Sequence, residues 1–189
     1  MKDIISFLIL VGFIGLQRIV ELRIANRNEK WMKKRGAIEF GEKHYRYMVT
    51  MHSLFFIFLS CEKIFMNLGL SPLWGILIIV FLIAQLLRIW AIASLGRFWN
   101  TKIIVLRNAN VIRKGPYRFI RHPNYFVVAV ELAVVPLLFN AYFTASLFTI
   151  LNIIVLRIRI PEEEQALREL TEYEGTFQDC NRFLPKVVK

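Results

Sequence analysis

Five apolar stretches decide what this chain can fold into: residues 4–20, 48–68, 73–95, 125–139 and 141–156, each nearly free of charge. The hydrocarbon core of a bilayer, about 30 Å thick, is crossed by about 20 helical residues. In lipid a backbone must satisfy its own N–H and C=O groups, which a helix does and an irregular chain does not. The sequence therefore predicts an all-α integral membrane protein of five transmembrane helices, with cytosolic connectors and a C-terminal helical tail. The last two runs are the shortest and are divided by Asn140, with Pro136 just before it. Residues 125–156 thus make either two full passes or a shallow hairpin.

The charges collect between the apolar runs. The formal net charge is +11, a balance that on a soluble fold would point to nucleic acid. Here the basic residues sit in short connectors, the pattern of loops facing anionic lipid, and no nucleic-acid partner is expected. The connectors after the first and third runs and the C-terminal tail are basic or highly charged; those after the second run and around Asn140 are nearly uncharged. Alternation then places the N-terminus outside and the C-terminus in the cytoplasm. Residues 4–20 are not read as a secretory signal, since no small-residue cleavage pattern follows them and their charges come after the apolar run. The first helix is extended by a snorkelling Arg18, continues through residues 22–32, and ends at Gly36.

Two cysteines give no disulfide framework, and three histidines show no ligand spacing, so no metal site is expected. The terminal Val187-Val188-Lys189 is not a prenylation box. No repeat or linker divides the chain, so residues 1–189 are read as one domain.

Two ionisable residues fall inside the apolar runs. Arg88 and Glu131 each lie about seven residues from the cytosolic end, roughly 10 Å deep. Isolated charges at that depth are costly, so the two are expected to pair. Gln85 and Asn152 are read as interhelical hydrogen-bond formers rather than ligands.

The chemistry is concentrated in two constellations. The first is Gly115-Pro116-Tyr117-Arg118-Phe119-Ile120-Arg121-His122-Pro123-Asn124-Tyr125-Phe126. Its prolines bias the preceding residue away from helix and permit a helix to start. His122, Asn124 and Tyr125 then sit at a helix N-terminus, whose free N–H groups favour anionic ligands. Alone, such a tetrapeptide would be read as no more than a proline helix start beside an interfacial Tyr. The second is Arg157-Ile158-Arg159-Ile160-Pro161-Glu162-Glu163-Glu164-Gln165-Ala166-Leu167. Arg159 and Glu163 are four apart, neighbours on one face if the helix continues past Pro161, which interrupts a plain helix. A surface ion pair worth under about 1 kcal/mol would explain them equally well.

Together, an RHPxY element followed after two apolar runs by RxxxEExxL resembles the isoprenylcysteine carboxyl methyltransferase family. The match runs from about Phe98 to Leu167, and the cofactor-binding part is taken as about 98–189. Ala25-Asn26-Arg27-Asn28-Glu29-Lys30-Trp31-Met32 and Gly96-Arg97-Phe98-Trp99-Asn100-Thr101-Lys102 look closer to a bacterial branch that O-methylates alkylpyrones and is linked to type III polyketide synthases. The resemblance implies S-adenosylmethionine as cofactor and a lipophilic or lipidated acceptor, an alkylpyrone enol or an isoprenylcysteine-type carboxylate, at the inner leaflet. It implies that Tyr117, His122, Pro123, Asn124, Tyr125 and Glu163 hold the cofactor. It places Ala109-Asn110-Val111-Ile112, read as strand-like, along it, with Lys102 nearby. It implies that Arg159 holds the acceptor's anion, so Arg159 and His122 are the catalytic candidates. Departures are visible: Ala109 stands for a family histidine and Lys102 near a family glutamine. Thr171, Glu172, Gly175 and Gln178 replace an aromatic C-terminal pattern, which argues against assuming a prenylcysteine. Two other readings compete: a sterol-reductase-like enzyme using NADPH, and a non-catalytic scaffold whose loops bind anionic lipid.

Overall fold

The computed structural model describes residues 2–177 and 180–183; Gln178 and Val187-Val188-Lys189, weighed above, lie outside them. Helix α1 (Lys2–Lys33) runs unbroken through the first apolar stretch and ends in a turn where Gly36 takes φ 83. Helices α2 (Glu42–Phe65), α3 (Trp74–Leu95), α4 (Pro123–Leu137), α5 (Tyr142–Leu170) and α6 (Tyr173–Phe177) follow. Four of these helices, α1, α2, α3 and α5, are long and apolar enough to cross a membrane. The fifth expected pass corresponds to α4, whose 15 residues reach only about 22 Å, short of a full hydrocarbon core.

The fold is all-α as expected, with one short addition: β1 (Ile38–Phe40) pairs antiparallel with β2 (Ile103–Val105), joining the two connectors. Two other expectations are corrected. The β-branched Ile103, Ile104 and Val105 favour this pairing, whereas Ala109–Ile112, expected to be strand-like, has no regular structure. Pro161 also fails to interrupt α5, which continues through it to Leu170; the loss is one helical hydrogen bond, to the carbonyl of Arg157.

The core draws buried apolar residues from all the long helices. Phe7 meets Phe139 edge-on at 5.1 Å, and Phe55 of α2 meets Phe148 of α5 at 5.3 Å. Leu59, Phe81, Leu132 and Val135 fill the space between. Helices α2 and α5 are antiparallel. At one end Glu62 accepts the N–H groups of Phe143 and Thr144 at 3.0 and 2.7 Å; at the other, His44 lies 2.5 Å from Glu162.

Arg88 and Glu131 do pair, within a larger cluster. Arg88 reaches both Glu131 and Glu21, the latter at 3.1 Å. Arg18, expected to snorkel outward, turns inward onto Glu21 at 2.5 Å and onto Glu131. Gln85 donates to Glu131 at 2.6 Å and accepts from Gln17 at 2.8 Å. Two cations and two anions thus neutralise one another, the arrangement that makes ionised groups tolerable inside a bilayer.

The two segments singled out as a bacterial signature are in contact. Asn28 of α1 donates to the carbonyls of Gly96 and Trp99 at 3.0 and 2.7 Å. This fixes the turn after α3, from which the chain reaches Thr101. Further on, Gly115 takes φ +59, and a Cβ there would lie 2.0 Å from Ser94 Oγ and 3.0 Å from Trp90 Nε1. Gly115→Ala is expected to destabilise the fold by about 1–3 kcal/mol and displace Tyr117, read as a lowered Tm in detergent; an unchanged Tm would show that the turn tolerates a side chain.

Candidate functional site

A cavity of about 630 Å³ opens between α1, α2, α5 and the connectors. The two constellations meet on its wall. The turn Gly115–Arg118 carries buried Tyr117. Helix α4 begins at Pro123, with His122 at the N-cap position, and so aims Asn124 and Tyr125 at the cavity. Asn124 Nδ2 donates to the Tyr117 hydroxyl at 3.2 Å. Burial, reinforced by nearby Glu163, holds the Tyr117 phenol well above its ordinary pKa, so at neutral pH it keeps a proton to donate.

Arg159 and Glu163 share a face of α5, but they do not pair directly as their spacing suggested. Tyr125 bridges them: its hydroxyl accepts from Arg159 Nε at 2.8 Å and donates to Glu163 Oε2 at 2.5 Å. Arg159 Nη2 donates to the Thr101 carbonyl at 2.6 Å, the contact that the Asn28-anchored turn makes possible. Arg159 is 3% exposed, and its Nη1 has no partner among the described residues. A buried guanidinium with an N–H unpartnered among the described residues is chemically suited to an anion.

The other predicted residues divide. Ala109, Asn110, Val111 and Ile112 line the cavity. Lys102 lines it too, yet its ammonium is spent on Glu29 and Glu39 at 2.9 and 3.1 Å. Burial opposes charge on Glu39, but hydrogen bonds from Lys33 and Lys102 hold its carboxyl below the usual range. Pro123 is fully buried, is absent from the cavity lining and sets where α4 begins. His122 is buried and stacks beside Tyr125, ring centroids 5.4 Å apart. Its Nε2 is committed to Glu164 at 3.0 Å, which leaves Nδ1, 3.9 Å from Glu163, for any other partner.

Glu164 and Arg182 are the residues that sequence reasoning missed. Arg182 clasps Glu164 through two hydrogen bonds of 3.0 and 2.7 Å. Arg121 donates to the carbonyls of Cys180 and Phe177 at 2.7 and 2.8 Å, so the C-terminal segment is strapped across the start of α4. The signal was the run of three glutamates at 162–164. Successive helical residues point about 100° apart: Glu162 faces His44, Glu163 faces Tyr125 and Glu164 faces His122.

Comparison with known proteins points to one family. Residues 76–169 match the sequence model of the isoprenylcysteine carboxyl methyltransferase family. The uncharacterised protein YpbQ of Bacillus subtilis is 46% identical over 163 residues, 86% of this chain and 97% of that one. An uncharacterised protein of Haemophilus influenzae is 30% identical over 156 residues, 81% of this chain and 90% of that one. The family match takes in the RHPNY element, the Arg159–Glu163 face and the third apolar helix alike, and the chain belongs to the isoprenylcysteine carboxyl methyltransferase family.

Proposed function

We propose that this protein is an S-adenosylmethionine-dependent O-methyltransferase acting on an ionisable oxygen of a lipophilic acceptor at the cytoplasmic face of the membrane. The observation that carries the reading is Arg159: a buried guanidinium on a residue that lines the cavity, tethered by Tyr125 and Thr101, with Nη1 unpartnered among the described residues. Members of the family use S-adenosylmethionine, and the residues present fit it. The cavity, about 630 Å³, falls within the usual range for small-molecule sites. Its wall supplies two tyrosine rings for a cation and a carboxylate acceptor, Glu163, for polar hydrogens.

When bound, S-adenosylmethionine supplies a methyl group on a positively charged sulfonium. Everything else falls to the chain. A carboxylate or acidic enol is already ionised at neutral pH, so alignment and exclusion of water matter more than a strong base. Arg159 Nη1 would hold the acceptor oxyanion, and Tyr125 fixes the guanidinium against Glu163. Glu163 and the free Nδ1 side of His122 would bind the cofactor's polar groups, with Tyr117 donating from below. Glu164 and Arg182 orient His122 and keep the strap closed.

Leu22 of α1 and Val49 of α2 line the cavity, yet are 43% and 44% exposed. The cavity therefore reaches the outer surface between α1 and α2, a route for a lipid tail to enter sideways. The acceptor is an alkylpyrone enol or a prenylcysteine-type carboxylate, and a type III polyketide synthase would supply the former.

Calorimetry on the purified protein should show binding of S-adenosylhomocysteine and none of NADPH. Labelled S-adenosylmethionine should pass its methyl group to an alkylpyrone or a prenylcysteine. His122→Ala and Glu163→Ala should each weaken S-adenosylhomocysteine binding about tenfold, one hydrogen bond's worth to a charged group. Undiminished affinity in both variants would overturn the assignment.

A further inference from the structure

The cavity does not end at Arg159. Its wall continues along α5 to Asn152 and across to His52 of α2. Asn152 was expected to bond a neighbouring helix; instead it is 3% exposed, lines the cavity and has no hydrogen-bond partner among the described residues. Asn152 and Arg159 are seven residues, two turns, apart, so they lie on one face about 10 Å from each other.

His52 faces the same level. The rings of Phe55 and Phe148 touch at 5.3 Å, and the two helices are antiparallel. His52 lies three residues before Phe55 and Asn152 four after Phe148, so each is one turn from that contact in the same direction. His52 Nδ1 is 2.8 Å from the Met48 carbonyl. A carbonyl only accepts, so Nδ1 carries the proton, and Nε2 of the neutral ring is an acceptor with no partner among the described residues. Arg18 and Arg88 border this end of the cavity, but their charges are balanced by Glu21 and Glu131. The subsite asks for a neutral group.

We infer that Asn152 and His52 form a second polar subsite that recognises a hydroxyl on the acceptor's tail, about 10 Å from the oxygen held by Arg159. A hydroxyl is the smallest group that donates to His52 Nε2 while accepting from the Asn152 amide. A plain alkyl or prenyl tail laid there would strand both groups in a dry site, which selects against it. The inference rests on the methyltransferase reading for which end of the acceptor is held at Arg159, and it narrows the acceptor to a chain-oxygenated amphiphile.

The test uses two anionic probes in detergent: a saturated long-chain fatty acid, and the same acid hydroxylated about 10 Å from its carboxylate. Wild type should bind the hydroxylated acid about tenfold more tightly, as expected for two neutral hydrogen bonds. Asn152→Leu and His52→Phe should each shrink that difference, while retained binding of S-adenosylhomocysteine shows that the variants are folded. Equal or weaker binding of the hydroxylated acid by wild type overturns the subsite, as does a difference that persists in both variants. Failure of wild type to bind S-adenosylhomocysteine would strike the methyltransferase reading instead, leaving the probe comparison to stand on its own.

Discussion

Arg159→Ala is expected to lower methyl transfer by about a hundredfold to a thousandfold, the loss typical when one preorganised charge-stabilising donor is removed. Affinity for S-adenosylhomocysteine should change little, because the role proposed for Arg159 is on the acceptor side. Arg159 is held by Tyr125 through Nε and by the Thr101 carbonyl through Nη2, it lines the cavity, and its Nη1 has no partner among the described residues. A lysine has no such fork. Arg159→Lys should therefore recover only part of the loss, although it keeps the charge. Single-turnover measurement with saturating cofactor separates the acceptor step from binding. A fall in cofactor affinity matching the fall in rate would move Arg159 to the cofactor side; undiminished turnover would remove it from the site.

The largest effect on stability is expected in the buried cluster. Removing one partner, as in Arg88→Met or Glu131→Leu, leaves three charges that no longer cancel in a largely buried cluster. Breaking a buried pair this way costs about 3–5 kcal/mol, enough to consume much of a typical domain's stability. Arg88→Glu should be worse, placing three carboxylates around Arg18. The exchange Arg88→Glu with Glu131→Arg restores two of each sign and should recover a large part of the loss. It will not recover all, because Gln85 donates to Glu131 and Gln17 spans to Glu21, a polarity the exchange reverses. Thermal unfolding in detergent reads each variant, and a double exchange no better than Arg88→Glu alone would show that geometry, not charge balance, holds the cluster.

Much of this arrangement was legible in the residues, and the limits were physical. The start of α4 at Pro123 and the end of α1 before Gly36 follow from local backbone chemistry, which the sequence carries directly. So does the expectation that Arg88 and Glu131 meet, since lipid offers an ionised side chain so few alternatives. Arg18 was misread because snorkelling and inward pairing suit the same residue at the end of an apolar run; only the position of Glu131 on another helix decides between them. The strand was placed at Ala109–Ile112 instead of Ile103–Val105 because a two-stranded sheet depends on a partner, and β1 lies more than sixty positions earlier in the chain.

The sequence by itself determined that the chain is a membrane protein with a charged face, and it singled out the RHPNY and Arg159–Glu163 elements, which the fold brings to one cavity. Periodicity, proline placement and the exclusion of charge from lipid are local rules, and they act without knowledge of the fold. Only the tertiary structure decided that Tyr125 bridges Arg159 to Glu163, that Glu164 belongs to His122 and Arg182, and that Asn152 and His52 both line the cavity. Each of those depends on which side of one helix meets which side of another. Helix packing sets that choice through contacts between residues far apart in the chain, and no single segment encodes it.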